Sequence, residues 1–268
     1  MELMTLNQTP VSCLGLASQY LKESACVSAA FEAGMNYFFS YGLPSRVFLD
    51  ELKPLLVTQR DSLFVALGSE KRDRKGLNHT LDQIRHTLNI DVIDAFFAEY
   101  ISPDDELDEI QRLTDELYDW KSKGYIRYVG MSSHSRAIAL NLIHLGQCDV
   151  LMQRYNMAHR QAETQVFPSA HQANIPVVVF TSTRWSTLLR SPPGWTQPPP
   201  TAAECYRFSL HPPGVRLVLT SPATQAELES NLQVLQTPTM TATELAYWQR
   251  FGDLVYGTGQ DAFETQWV

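Results

Sequence analysis

The sequence predicts an α/β protein built as a (β/α)8 TIM barrel. Short apolar and β-branched runs alternate with longer helical patterns, a rhythm typical of parallel strands joined by crossover helices. The runs at 63–67 and 93–97 are almost continuously apolar, as expected for strands that are buried on both faces. Because 268 residues fit one such barrel, we expect a single domain over residues 1–268.

Eight strands are predicted in order along the chain. Each is a short run rich in Val, Ile, Leu or Phe that gives way to turn residues or to a helical pattern. The expected strands are 11–16, 37–39, 63–67, 93–97, 126–131, 150–153, 177–180 and 215–219.

Helices are predicted between these strands from capping residues and stop signals. Ser102 is the expected N-cap of a long acidic helix, and Gly124 its end. Thr224 and Thr241 each precede a glutamate at the spacing of a capping box. The expected helices are 23–33, 46–56, 77–88, 103–123, 136–145, 162–172, 202–210, one after Thr224, and a C-terminal helix over 241–256. The proline clusters of 191–200 predict a loop.

Composition excludes several classes of function. With 29 acidic and 21 basic residues, the formal net charge of -8 disfavours binding to nucleic acid. No stretch is long and apolar enough to predict a membrane span, and the first residues lack the pattern of a secretory signal. The four scattered cysteines predict reduced thiols, and no ligand spacing predicts a metal site. We therefore expect a cytoplasmic protein that binds a small molecule.

Five segments resemble the aldo-keto reductase superfamily, in the order and spacing of that family. They are GMNYFFSYG at 34–42, KGYIRYVGMSSHS at 123–135, MQRYNMAHR at 152–160, NIPVVVFTST at 174–183 and PPGVRLVLTSPATQAELESNL at 212–232. The resemblance implies the same barrel, an oxidoreductase activity, and NADP(H) or NAD(H) as cofactor.

The catalytic positions of the family are only partly kept. Its reductases surround the carbonyl with Asp, Tyr, Lys and His. The Asp position falls here on Phe39 or in a gap, the Tyr position on Tyr41, the Lys position on Gly68 or Ser69, and the His position on Glu99. The resemblance implies that Tyr41 is the proton donor. Without a lysine, we expect its pKa to stay near about 10 and carbonyl reduction to be slow. A structural role for Tyr41 remains an alternative.

Glu99 ends an apolar run, where a carboxylate is costly unless it is paired or protonated. One branch of the family, which reduces carbon–carbon double bonds in steroids, also has glutamate at this position. The resemblance implies that a neutral Glu99 could polarise an enone oxygen.

The cofactor positions are also mixed. Ser132 and Ser133 match the Ser-Asn pair that holds the nicotinamide carboxamide. Gln153 is adjacent to Met152, which stands at the glutamine position of the family. Thr181 lies near the expected pyrophosphate.

On the adenine side, Glu227 and Asn231 match contact positions at i and i+4 of one helix. Ala223 replaces the arginine that grips a 2′-phosphate, which leaves the preference for NADP(H) open.

Three residues at strand ends are candidates for contact with substrate. Arg154 shares a strand face with Met152, and either binds an anion or pairs with Glu99. Arg184 and Trp185 follow the seventh strand, where arginine can stack on tryptophan or bind phosphate. By contrast, His134 reads as a neighbour of a helix cap and Tyr206 as barrel packing.

The resulting hypothesis is a divergent oxidoreductase that reduces a small carbonyl or enone with NAD(P)H and has weakened or altered catalysis. Two alternatives remain open. One is a lyase or isomerase acting on an anionic substrate through Glu99, Arg154 and Arg184. The other is a catalytically inactive regulatory subunit with a stable protein partner.

Overall fold

Eight parallel strands close into a barrel in chain order, which confirms the predicted (β/α)8 architecture. The computed structural model describes residues 2–257; residue 1 and residues 258–268 of the predicted domain lie outside the described residues. The strands are β1 Leu14–Ala17, β2 Tyr37–Tyr41, β3 Phe64–Ser69, β4 Ile93–Ala98, β5 Ile126–Ser133, β6 Val150–Arg154, β7 Val177–Phe180 and β8 Val215–Thr220.

Helices follow the strands and cover the barrel. They are α1 Cys26–Glu32, α2 Arg46–Gln59, α3 Arg74–Leu88, α4 Leu107–Ser122, α5 Arg136–His144, α6 Val166–Gln172, α7 Ala202–Ser209, α8 Gln225–Leu232 and α9 Ala242–Tyr256. No helix within residues 2–257 is long and apolar enough to cross a bilayer. The four cysteines are free thiols.

Alternation along each strand divides the apolar residues into two cores. One set fills the barrel interior and includes Phe39, Ala66, Phe97 and Met152. The other set packs between strands and helices. Because successive side chains point to opposite faces of a strand, this division fixes which residues at the strand ends can reach a ligand in the mouth.

The acidic helix starts later than predicted. α4 begins at Leu107, with Glu106 as its N-cap, rather than at Pro103 with Ser102 as its cap. The hydroxyl of Ser102 accepts from the backbone of Asp104 instead, in a turn that precedes the helix. The capping residue was wrong because a serine can satisfy a turn as readily as a helix end.

The sixth helix is also shorter than the predicted 162–172. A 3₁₀ turn at Gln161–Glu163 comes first, and α6 then starts at Val166. Pro168, which has no N–H to donate, lies in the first turn of α6, where a backbone N–H has no partner within the helix. The start at Val166 thus places Pro168 where it costs no helical hydrogen bond, whereas Pro54 lies inside α2.

Two helix starts differ in how their glutamates bond. Thr241 and Glu244 form the predicted capping box at α9. At α8, Thr224 accepts from the backbone of Glu227, but the Glu227 carboxylate accepts from Ala223 N rather than from Thr224 N. The predicted capping box of α8 is therefore only half formed.

An N-terminal segment covers the amino-terminal end of the barrel. Met4 and Pro10 form an antiparallel bridge, and Leu3, 1% exposed, packs with the residues of the barrel interior. Arg127 at the start of β5 donates to Thr5 O at 3.3 Å. These contacts close that end of the barrel.

A buried ion cluster lies beside this segment. Asp94 on β4 is fully buried and pairs with Arg60 at 2.9 Å and with Arg127 at 2.5 Å. It also accepts from Val65 N at 2.8 Å. Since a buried charge is costly unless it is paired and hydrogen-bonded, these partners are what make Asp94 tolerable between the strands and the helical layer.

Candidate active site

A cavity of about 490 Å³ opens at the carboxyl-terminal mouth of the barrel. Barrel enzymes place their chemistry at this end. Its walls come from the ends of β1, β2, β7 and β8, from the segments that follow β1, β3, β4, β5, β7 and β8, and from α7. The ring-bearing side chains in the wall are Tyr20, Tyr41, Tyr100, His134, Phe180, Trp185 and Tyr206.

Tyr41 ends β2 and lines this cavity. Its ring packs edge-on against Phe39, with ring centroids 4.7 Å apart. Burial raises the pKa of Tyr41 well above its ordinary value, and Tyr100 and Glu99 add to this. The candidate proton donor is therefore a firmly protonated phenol. Its neighbour in β3 is Gly68, which has no side chain to supply a cation.

Glu99 lies beneath the cavity wall rather than in it, and is 2% exposed. Its carboxyl group covers Gly68 so closely that a Cβ on residue 68 would collide with Glu99 Oε1. Glu99 thus fills the space in which the family resemblance places a lysine side chain. The expected contact between Glu99 and a substrate is not supported by this position.

The Glu99 carboxyl group is in an environment that favours its neutral form. Burial is the main cause that raises its pKa well above the usual range; Glu70 adds to the shift and Arg72 opposes it. Oε1 has no hydrogen-bond partner, and no ion pair joins Glu99 to Arg154 among the described residues. The structure therefore gives no support to the expected Glu99–Arg154 pair.

Ser132 and Ser133 end β5 in different roles. Ser133 Oγ donates to Ile101 O at 2.6 Å and accepts from Ser135 N at 3.1 Å, so its hydroxyl already serves the fold. Ser132 lies on the inner face of β5, two residues after Gly130, and its buried hydroxyl has no hydrogen-bond partner in residues 2–257. Of this pair, Ser132 has the hydroxyl left for a ligand, although it is 0% exposed and does not line the cavity.

Gln153 and Arg154 point to opposite sides of β6. Met152 packs in the barrel interior, so Arg154 also faces inward, whereas Gln153 shares the outer face with Leu151. Gln153 is 1% exposed and does not line the cavity, so its expected contact with cofactor is not supported. Arg154 is also absent from the cavity wall. The pKa of His134 is lowered to about 4, mainly by the burial of His134 and in part by the positive charge of Arg154.

The segment after β7 supplies two hydroxyl residues. Thr181 lines the cavity in a left-handed conformation with φ 57° and donates through Oγ1 to Phe180 O. The sequence reasoning missed its neighbour Ser182, which also lines the cavity and is 2% exposed. The Ser182 hydroxyl has no hydrogen-bond partner within the described chain.

Arg184 and Trp185 continue this segment but separate in space. Both have left-handed backbones, with φ 49° and 50°. Arg184 Nη1 donates to Val255 O in α9 at 3.0 Å and does not line the cavity. Trp185 lines the mouth of the cavity and is 48% exposed. Of the two, the structure places only the tryptophan in reach of a ligand there.

The start of α8 carries two carboxylates of the chain itself. Glu227 accepts from Ala223 N at 2.8 Å, and Glu23 accepts from Gln225 N at 2.8 Å. Glu227 does not line the cavity. The backbone N–H groups at this helix start therefore already have anionic partners.

Asn231 supports the wall from behind instead of lining it. Its Nδ2 donates to Thr220 Oγ1 at 3.0 Å, and the hydroxyls of Thr220 and Tyr206 are 2.9 Å apart. Tyr206 and Thr220 both line the cavity. The sequence reasoning missed Tyr206 because it read the residue as packing.

A row of rings crosses the cavity wall. Tyr41 faces Tyr100 with ring centroids 6.1 Å apart and planes 14° apart. Tyr100 stacks on His134 at 5.4 Å, and His134 meets Phe180 edge-on at 5.0 Å. The sequence reasoning missed Tyr100 and assigned His134 to a cap. His134 directly follows β5 and Tyr100 lies two residues after β4, so their position near strand ends was the available signal for both.

The described part of the cavity wall has little positive charge. Glu70 is its only carboxylate, and none of its described residues is lysine or arginine. Within residues 2–257, no cluster of histidine, cysteine and carboxylate side chains could hold a metal ion. The lining therefore gives no support to the alternative of an anionic substrate.

Comparison with solved structures finds the same fold in aldo-keto reductases. AKR11C1 from Bacillus halodurans, in its holo form, is 19% identical over 93% of this chain and 95% of that chain, with a TM-score of 0.77. An aldo/keto reductase from Klebsiella pneumoniae, in complex with NADP and acetate, is 16% identical over 93% and 94%, with a TM-score of 0.74. The thermostable Tm1743, in complex with the inhibitor epalrestat, is 14% identical over 94% and 99%, with a TM-score of 0.73.

The sequence itself carries the family assignment. No curated protein matches it significantly. The model of the aldo/keto reductase family matches residues 17–191, more than half of the 268-residue chain, from the end of β1 to beyond β7. The chain belongs to the aldo/keto reductase family.

Proposed function

We propose that this chain is an oxidoreductase that reduces a small carbonyl or enone compound with NADH or NADPH. The observation that carries the proposal is the cavity at the barrel mouth, with the Tyr41 phenol in its wall, in a member of this family. The Klebsiella pneumoniae reductases are described in complex with NADP and with NADPH.

The polar groups of the site fit a nicotinamide dinucleotide. Ser132 and Ser182 have buried hydroxyls without partners among the described residues. An unsatisfied buried polar group costs about 1–3 kcal/mol, which a ligand with amide or phosphate oxygens would recover. In this proposal Ser132 holds the carboxamide, and Thr181 and Ser182 lie near the phosphates. When bound, the cofactor supplies a hydride.

The residues around the substrate carbonyl favour slow reduction. A phenol with a raised pKa keeps its proton and can donate it to a carbonyl oxygen that gains negative charge; Tyr41 and Tyr100 are both such phenols in the cavity wall. No lysine side chain lies beside Tyr41 at residue 68, so the electrostatic help that such a cation gives in the family is absent. Glu99 contributes from below as a neutral carboxylic acid that fills this space.

The start of α8 favours the cofactor without a 2′-phosphate. Ala223 stands where the family resemblance places an arginine, and the carboxylates of Glu23 and Glu227 already bond to the backbone there. Because like charges repel, we expect NADH to bind at least as tightly as NADPH. Glu227→Gln should tighten binding of NADPH and leave NADH unchanged; equal effects on both cofactors would contradict this reasoning.

Cofactor binding is the direct test of the proposed function. NADH and NADPH are titrated separately to about 1 mM while tryptophan fluorescence and melting temperature are followed. We expect quenching, because Trp185 lies in the cavity mouth, and a rise in melting temperature. In Trp185→Phe, most of the quenching should disappear while the thermal shift remains. If neither cofactor changes either signal, the proposal is wrong.

A further inference from the structure

Tyr100 is held in the cavity wall by a backbone conformation that non-glycine residues rarely adopt. Its φ is 54°, in the left-handed region. Such a conformation costs about 1–3 kcal/mol and persists only where the surrounding structure imposes it. Here it places the ring in the cavity wall, stacked between Tyr41 and His134.

Arg72 imposes this conformation. Its Nη2 donates to Glu99 O at 2.9 Å and to Tyr100 O at 3.3 Å. Its Nε pairs with Asp105 Oδ1 at 3.0 Å, and Asp105 Oδ2 accepts from Ser102 N at 2.8 Å. The turn that carries Tyr100 is thus fixed on both sides by one partly buried guanidinium.

The two neighbouring phenols are not equivalent. Burial raises the pKa of both, and raises that of Tyr41 further than that of Tyr100. The pKa of Tyr100 is raised less than that of Tyr41, so Tyr100 is the stronger acid of the two phenols in the cavity wall. The proton of Tyr100 is therefore the one more readily given to a ligand.

We propose that Tyr100 is the residue that delivers the proton to the substrate, with the Tyr41 ring stacked against it and Arg72 as its positioning residue. This inference rests on the proposed function. The substrate's carbonyl carbon accepts the hydride supplied by the dihydronicotinamide, and the C=O π pair moves to oxygen. That oxygen takes the proton of Tyr100 Oη. The resulting phenolate regains its proton from water at the cavity mouth.

The test compares three tyrosine-to-phenylalanine variants with benzaldehyde as substrate and NADH and NADPH as reductants. Tyr100→Phe should lower kcat by about 10²–10⁴-fold while dinucleotide affinity stays within about twofold. Tyr41→Phe should lower kcat by a smaller factor. Tyr118→Phe is the control, because that hydroxyl donates to Gly146 O outside the cavity wall and should leave turnover unchanged.

A second readout does not depend on turnover. The infrared carbonyl stretch of ¹³C-labelled benzaldehyde, bound with the oxidised dinucleotide, reports hydrogen bonding to its oxygen. We expect a lowered frequency in the wild type, a smaller shift in Tyr41→Phe, and none in Tyr100→Phe. Arg72→Lys cannot reach both carbonyls and Asp105 together, so it should reduce kcat and the shift in parallel, with dinucleotide affinity intact.

The outcomes separate this inference from the proposed function. If dinucleotides bind and Tyr100→Phe keeps turnover within about threefold of the wild type, the role of Tyr100 is overturned and the oxidoreductase stands. The same follows if Tyr41→Phe alone abolishes both turnover and the carbonyl shift. If the wild type binds neither dinucleotide, both proposals fall.

Discussion

Replacing Glu99 with glutamine should make the protein more stable at neutral pH. The carboxyl group is 2% exposed, and burial raises its pKa well above the usual range. Glutamine has nearly the same shape but no proton to release in this range. The variant therefore removes the titration and keeps most of the packing over Gly68.

The expected effect grows with pH. In the unfolded chain a glutamate releases its proton near about pH 4.3, whereas in the folded protein Glu99 keeps it to a higher pH. Between these two pKa values the folded state binds one more proton, so wild-type stability falls by up to about 1.4 kcal/mol for each pH unit. From pH 5 to pH 7, the stability advantage of Glu99→Gln should therefore increase by up to about 2.7 kcal/mol.

Urea unfolding at intervals from about pH 5 to 8 measures this difference. Other titrating groups affect the wild type and the variant alike, so the change in their difference isolates Glu99. Glu229→Gln is the matched control, because Glu229 is exposed on α8 and lies outside the cavity wall. If the free energies of unfolding of wild type and Glu99→Gln run parallel across this range, the reasoning about a neutral buried carboxyl group is refuted.

Two further predictions concern stability measured by urea unfolding. Gly68→Ala should destabilise the protein by about 1–3 kcal/mol, because the added methyl collides with the Glu99 carboxyl group. In the double variant with Glu99→Ala, most of that loss should be recovered. If the effects of the two substitutions on stability simply add, the contact between residues 68 and 99 is not the cause. Asp94→Ala should lower the free energy of unfolding by about 3–5 kcal/mol, because it leaves Arg60 and Arg127 without their buried partner. Asp50→Ala, in an exposed pair on a helix surface, should change stability by less than about 1 kcal/mol, and a comparable loss there would show that burial is not the cause.

The strand pattern was predictable because burial on both faces of a parallel strand leaves a nearly unbroken apolar run. β4 shows this most clearly, because the predicted strand at 93–97 is only one residue shorter than the observed strand Ile93–Ala98. The start of α4 was not predictable in the same way. Ser102 carries a local capping signal, but the long-range contact between Arg72 and Asp105 holds this segment as a turn.

The candidate site was predictable by position but not by side-chain direction. Tyr41 and Thr181 follow from strand ends and from the family resemblance, and both line the cavity. Gln153 was chosen because it is adjacent to Met152, yet adjacent residues of a strand face opposite sides. Tyr100 was missed because its direction depends on a left-handed backbone that no residue type in the sequence announces.

The N-terminal segment covers one end of the barrel, so the described cavity opens at the carboxyl-terminal mouth. Leu3 packs into the interior and Met4 is bridged to Pro10, and these contacts among the described residues cover the amino-terminal end of the barrel. Any molecule that reaches the inward-facing hydroxyl of Ser132 must pass the rings at the mouth, and must leave by the same route. Two ligands that share this cavity therefore bind in a fixed order: the ligand that lies deeper binds first and dissociates last.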